Sequence, residues 1–220
     1  MMPRVLEPEA MDDPAQAAAY AQADFSNENQ GFVDRFAEYF PDWSAGHVVD
    51  LGCGPGDIPI RFARAFPSAW VTAVDLSQPM IDLAAKAVAA AVMDGRVTLR
   101  CESIQAVTLP EPAEAVISNS LVHHVPNPLQ FWFHLKRLAG PGAKVLVMDL
   151  LRPDTPEEAR AIVERYAAQA DPILKRDFYQ SLLAAFTEDE IAAQLAHMNL
   201  SRLMIDVIDD RHWVVGGHVL

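Results

Sequence analysis

The sequence predicts an α/β fold, a mostly parallel sheet with helices packed on both faces. Three stretches carry that reading. Val48-Val49-Asp50-Leu51 is a short apolar run that ends in glycines at alternate positions, Gly52, Gly54 and Gly56. Beyond it Ile58, Ile60, Phe62, Ala63 and Phe66 recur at helical spacing. Trp70 to Val74 repeats the apolar run and stops at a carboxylate, Asp75. Lys144 to Leu151 is apolar almost throughout, as a parallel strand covered on two faces must be.

A ligand is expected at the glycine turn. Glycine adopts backbone angles that other residues avoid and lets a ligand approach the main chain closely. The helix that follows leaves amide donors free at its N-terminus and carries partial positive charge there. The glycines are spaced G-x-G-x-G behind Asp50, whereas the dinucleotide fingerprint is G-x-G-x-x-G. That departure argues against a nicotinamide or flavin oxidoreductase. Asp75, about twenty residues beyond the glycines, stands where an acidic side chain accepts both hydroxyls of a ribose. Ser77 is available to cap the next helix, which leaves Asp75 for the ligand.

Asp50-Leu51-Gly52-Cys53-Gly54-Pro55-Gly56, followed by Asp75, closely resembles motif I and the next acidic position of the class I S-adenosylmethionine (SAM) methyltransferases. The resemblance covers about Val48 to Leu220 and is strongest from Val48 to Leu151. It implies a Rossmann-like, seven-stranded, mostly parallel sheet with an antiparallel last strand, and SAM as cofactor. It implies cofactor contacts at Asp50, Gly52, Cys53, Gly54, Gly56, Asp75, Leu76 and Met80. Glu102 would read the adenine amino group, with the Ser103 amide against a ring nitrogen, and Asn119 and Ser120 would follow the fourth strand. The segment Asn119 to Pro128 is similar to its counterpart in small-molecule methyltransferases of the ubiquinone/menaquinone C-methyltransferase type. The Asn-Pro-Pro-Tyr-like tetrapeptide of many nucleic-acid and protein-glutamine N-methyltransferases is absent.

One domain, 1–220, is expected. Residues 1–45 would form an N-terminal helical lid, 46–152 the SAM-binding core, 153–199 a helical insertion shaping the acceptor pocket, and 200–220 a closing hairpin. Met1 to Pro14 lacks periodicity and is expected to fray. Ala15 to Asp24 is an alanine-rich helix, and Phe32, Val33, Phe36, Tyr39 and Phe40 mark a second one that Pro41 closes. Helices at this end commonly cover the cofactor in the family, so Tyr20 and Phe25 are lid candidates. Ser77 to Val92 reads as a helix with Ile81, Ala84, Ala87, Val88 and Val92 as its inner stripe, ended by Asp94-Gly95. Arg96 to Cys101 alternates as a strand does, and Ala115 to Asn119 is the strand beside the glycine strand. Phe131, Phe133, Leu135 and Leu138 make a helix that runs to a turn at Gly140-Pro141-Gly142. Thr155-Pro156-Glu157-Glu158 is a capping box. Asp171-Pro172 opens a second inserted helix, and Thr187 to Glu190 caps a third. Arg202 to Ile208 and His212 to Val219 form a hairpin around Asp209-Asp210-Arg211.

The bulk numbers narrow the function. A chain of 220 residues with 51% hydrophobic and 21% charged residues is long enough for one sizeable core. Its net charge of −13 argues against nucleic acid, whose partners present basic surfaces, and favours a small-molecule acceptor. Two cysteines, Cys53 and Cys101, do not make a disulfide framework. No stretch approaches the roughly twenty apolar residues of a bilayer span, and the first residues lack the apolar run of a signal peptide. A cytoplasmic monomer or homodimer is the expectation. His123 and His124 are adjacent and no Cys/His set has ligand spacing, so no metal is expected.

Methyl transfer from a sulfonium is an in-line displacement with an activated donor. The protein must mainly hold nucleophile, methyl and sulfur collinear, and orientation alone contributes roughly 7–11 kcal/mol. A base is needed only for an acceptor that arrives protonated. His124 and His123, after the fourth strand, are the catalytic candidates, with His124 favoured. Substrate-side candidates are Tyr20, Phe25, Arg152, Tyr166, Tyr179, Arg211 and His212, with Arg152 suited to an anionic acceptor group. The alternative is a non-catalytic SAM-binding regulatory or partner subunit on the same fold. The intact glycine turn and Asp75 weigh against it.

Overall fold

In the computed structural model, which describes residues 2–8 and 11–219, seven strands make one sheet. They are β1 (Ala45–Leu51), β2 (Ser68–Asp75), β3 (Val97–Cys101), β4 (Ala113–Asn119), β5 (Ala139–Leu150), β6 (Met204–Val207) and β7 (His212–His218). Their spatial order is β3-β2-β1-β4-β5-β7-β6. The first five run parallel, and β7 is antiparallel to both β5 and β6. After β1 the chain goes to β2 and β3 on one side and then returns to place β4 on the other. Strand order therefore reverses between β1 and β4, and the crevice outside that point is where open α/β sheets bind ligands.

The central strands supply both faces of the core because successive side chains point to opposite sides. Val48, Ala115, Ile117, Leu146 and Met148 join one apolar layer with Phe32, Phe36, Phe62 and Phe66. Val49, Val116, Val145 and Val147 join the other with Phe131, Trp132, Leu135 and Ile191. Phe36 sits 4.8 Å from Phe62 and 5.2 Å from Trp43 between ring centroids, both edge-on. Such contacts add to the burial of each ring. They fasten α2 (Ser26–Tyr39) to α3 (Asp57–Ala65).

Each remaining helix starts at a side chain suited to cap it. Asp13 caps α1 (Pro14–Gln22), Ser77 caps α4 (Gln78–Ala90), Asn127 caps α5 (Pro128–Leu138) and Asp171 caps α7 (Pro172–Ala184). Thr155 with Glu158 and Thr187 with Glu190 form full capping boxes on α6 (Pro156–Tyr166) and α8 (Glu188–His197). No described helix is long and apolar enough to cross a membrane.

Four expectations are corrected. The described part of the N-terminus, residues 2–8, is tied down rather than frayed. The Met2 and Val5 amides donate to the Asp154 and Leu183 carbonyls, both at 3.0 Å. Val92 lies beyond the end of α4 with φ +56°, out of helical phase and exposed. In α5 Phe133 faces outward, and the adjacent Trp132 takes the buried place with its indole N–H on Gln194 Oε1 at 2.8 Å. Gly140-Pro141-Gly142 is not a separate turn but part of β5, where the register against β4 jumps between Ala113 and Ala115.

Candidate functional site

The glycine turn holds its shape because three positions need left-handed backbone. Gly52, Gly54 and Gly56 have φ of +77°, +51° and +88°, values an L side chain adopts only under strain. A Cβ on Gly52 would lie 2.9 Å from the Leu121 side chain, and one on Gly56 would lie 3.0 Å from Ala84 Cβ. The turn amides are committed within the fold. Gly52 and Cys53 donate to the Val74 carbonyl, Gly56 donates to Cys53, and Gly54 donates to Asp75 Oδ2 at 2.8 Å. The turn thus contributes close approach and shape, and these amides are not the free donors that the motif suggested.

A cavity of about 810 Å³ opens over the carboxyl ends of the strands, within the size range of small-molecule sites. The sheet brings Gly52, Gly54, Asp75, Leu76, Glu102, Asn119 and Ser120 to its wall, and Met80 reaches it from α4. Ser120 takes φ +55°, which carries the chain from the end of β4 into the turn that holds the histidines. The other four predicted cofactor positions are not on the wall. Asp50 and Cys53 are buried behind the turn, Gly56 caps α3 against Ala84, and Ser103 is half-buried beside Glu102. The first three lie in the motif but face the scaffold.

Electrostatically the site is acidic and incompletely paired. Asp75 Oδ1 accepts the Ser77 amide at 2.9 Å, so this residue helps shape the start of α4 as well as facing the cavity. Burial raises its carboxyl above the ordinary range in spite of the Ser77 and Gly54 amides. Asp50 is fully buried, and burial, with the charge of Asp75, pushes its carboxyl up to about 8. Glu102 Oε1 is held in a short ion pair with Arg100 Nε, whereas Asp50 Oδ2 and Asn119 Oδ1 are buried without hydrogen-bond partners. Such atoms are costly unless a ligand or water satisfies them.

Across the cavity stand His123 and His124, in a 3-10 turn, Val122–His124. His123 Nδ1 makes a short hydrogen bond to Asp149 Oδ1, and its backbone amide donates to Oδ2 at 3.1 Å. Burial opposes a charged imidazole, but Asp149 outweighs it and leaves His123 above its usual range. His124 meets only a carboxylate it shares with His123, Glu7 at 3.3 Å, and burial beside His123 pushes it down to about 3. His124, the favoured base, is therefore a neutral and weakly basic ring, and His123 is the one a buried carboxylate orients. Asp149, which strand-end position alone did not distinguish, was missed.

The lid and insertion residues divide. Tyr20 and Phe25 both line the cavity with ring centroids 5.0 Å apart, and burial raises the Tyr20 phenol to about 12. Tyr166, Arg211 and His212 line it as well, the Arg211 guanidinium lying 3.4 Å over the Tyr166 ring. Arg152 is not at the cavity. It is buried and donates to Glu190 Oε1 at 2.6 Å and to the Ala185 carbonyl at 3.1 Å, which makes it a brace between β5 and α8. Tyr179 is also absent from the wall, packing with α6 under Arg160. Sequence gave no signal for Ile173, Leu174, Phe178 and Ser181 of α7 or Asn29 of α2, which complete the enclosure.

Residues 48–142 match a family model described as a methyltransferase domain. This stretch, less than half of the chain, is therefore similar to a methyltransferase domain. Similar curated proteins include a ubiquinone/menaquinone biosynthesis C-methyltransferase from Syntrophotalea carbinolica, 34% identical over 51% of this chain and 47% of the relative. Another is a 27-O-demethylrifamycin SV methyltransferase from Amycolatopsis mediterranei, 27% identical over 76% of this chain and 58% of the relative. The chain thus spans about half the length of these curated relatives. Among solved structures, the plantazolicin methyltransferase BpumL superposes with a TM-score of 0.70 at 14% identity, over 94% of this chain and 91% of that one. A SAM-dependent methyltransferase from Aquifex aeolicus gives 0.69 at 16% identity, over 94% and 99%. These likenesses establish the class I methyltransferase fold for the domain.

Proposed function

We propose that the protein is a SAM-dependent methyltransferase acting on a small organic acceptor. The observation that carries the reading is the row formed by Gly52, Asp75, Glu102 and Asn119 at the ends of β1 to β4, facing one cavity. SAM is a nucleoside bearing a sulfonium and an α-ammonium. Asp75 would accept its ribose hydroxyls, and Glu102 its adenine amino group. The partnerless carboxylate oxygen of Asp50 lies behind the glycine turn, where a cationic amino-acid end would offset its charge directly or through water. Two carboxyls raised by burial suit a cationic ligand better than a pyrophosphate, which would meet like charge.

The acceptor would enter from the side of Tyr20, Phe25, Tyr166 and His212, with its reacting group against His123 and His124. α1, the start of α2 and the helices α6 and α7 would close over both ligands as lid and acceptor wall. The largely apolar enclosure supports an organic acceptor, and two of the curated relatives are named for ubiquinone/menaquinone biosynthesis and for 27-O-demethylrifamycin SV. Methyl transfer needs no redox partner, because the acceptor–carbon bond forms as the carbon–sulfur bond breaks and the neutral thioether leaves with the electron pair. Calorimetric titration with S-adenosylhomocysteine and with NAD tests the reading. Binding of the homocysteine nucleoside alone is the expected result, and tight binding of NAD without it would refute the proposal. A nucleoside-binding protein that methylates no acceptor in a broad panel would favour the regulatory-subunit alternative.

A further inference from the structure

The described N-terminal segment does more than tether. It carries Glu7 into the interior, where the side chain is only 8% exposed and its Oε1 has no hydrogen-bond partner. That oxygen lies 3.3 Å from His123 Nε2 and 3.3 Å from His124 Nδ1. The three atoms all lie within 4.8 Å of one another. We propose that Glu7, His123 and His124 form a binding site for a divalent transition-metal ion such as Zn²⁺.

The separations favour a cation over direct hydrogen bonds. Zinc takes imidazole nitrogen and carboxylate oxygen at about 2.0–2.2 Å in a tetrahedron, whose corners then stand about 3.3–3.6 Å apart. The two Glu7 distances fall on that edge. The ring centroids of His123 and His124 are 4.2 Å apart, and each ring turns a nitrogen to the same Glu7 oxygen although the residues are adjacent. His123 presents Nε2 because Nδ1 is engaged by Asp149, the carboxylate–histidine–metal arrangement that fixes tautomer and ring orientation in metal sites. The remaining partners are accounted for. Glu7 Oε2 accepts from Ser181 Oγ at 3.3 Å, and His124 Nδ1 would exchange its 3.2 Å contact with the Pro8 carbonyl for the ion. Arg4 pins the scaffold by donating to the carbonyls of His123 at 2.8 Å and Val125 at 3.1 Å.

A His₂Glu set leaves a coordination position open, and both histidines line the cavity. An ion there would bind an oxygen or nitrogen of the acceptor and lower its pKa, acting as a Lewis acid. The ion site stands on geometry alone; only this use of it rests on the methyl-transfer reading. Sequence spacing gave no metal site because its third ligand comes from far away in the chain.

The test is calorimetric titration of chelator-stripped protein with Zn²⁺, repeated with Co²⁺ to read ligand-field absorption, on wild type, Glu7→Gln and His124→Ala. S-adenosylhomocysteine is titrated in parallel. One equivalent of metal should bind wild type, with affinity at least tenfold weaker in both variants at unchanged far-ultraviolet circular dichroism. If a variant misfolds, the Co²⁺ spectrum of wild type decides, since nitrogen-ligated cobalt supports the site and a fully aquated spectrum overturns it. No stoichiometric binding, or full affinity in either folded variant, overturns it as well. Loss of nucleoside binding with metal binding intact would refute the function and leave the ion site standing.

Discussion

Asp75 is held by two backbone amides and still faces the cavity. One oxygen accepts the Gly54 amide and the other the Ser77 amide. The charge is held in place by the turns on either side of it before any ligand binds. Replacing Asp75 with Ala should weaken S-adenosylhomocysteine binding by roughly 1.5–3 kcal/mol, the scale of a hydrogen bond to a charged group, as read by calorimetry. Asp50 has a different signature. Its folded-state carboxyl titrates near about 8, above the unfolded value, so the stability it contributes is full at low pH and is lost as pH rises through that range. Asp50→Asn should therefore gain melting temperature relative to wild type between pH 5 and pH 8 in the absence of cofactor. Parallel melting curves would contradict the assignment.

At the scale of elements, the strand–turn–helix from β1 to α3 concentrates the constraints. Gly56 combines left-handed backbone with contact against α4, since an added Cβ would meet Ala84 Cβ at 3.0 Å and Ala84 Cα at 3.2 Å. Gly56→Ala should cost about 1–3 kcal/mol in chemical denaturation, whereas an unchanged midpoint would show that α3 and α4 shift freely. This element was legible in the sequence because glycine, apolar period and terminal carboxylate each report a local requirement. The capping boxes at Thr155 and Thr187 were legible for the same reason. Arg152 and Tyr179 were not, since which way a side chain at a strand end or on a helix turns depends on partners distant in the chain, here Glu190 and Arg160. His124 was preferred over His123 because the sequence cannot show which imidazole meets Asp149.

For the whole molecule, the cavity is closed by pieces remote in sequence that meet over the sheet edge. α1 lies against α4 and α7, and residues 2–8 run between α7 and the histidine turn. Arg4 ties these together, donating to the Ala184 carbonyl at 2.6 Å and lying 4.0 Å over the Phe186 ring. Arg4→Ala should lower stability by about 1–3 kcal/mol and speed proteolysis near the N-terminus; equal protection would show that the segment docks by other contacts. An N-terminus that reads as frayed thus becomes ordered through its carbonyl and ring partners, a long-range effect that composition does not reveal. The parallel sheet was legible from the alternation of apolar runs and helices, and its seven strands from the family resemblance, but the enclosure above it was not. The measurement that bears most directly on the central claim is a crystal structure with S-adenosylhomocysteine bound. Ribose hydroxyls within hydrogen-bond distance of Asp75 and adenine beside Glu102 are the expected result. A nucleoside seated elsewhere, with Asp75 contacting only the Gly54 and Ser77 amides, would contradict it.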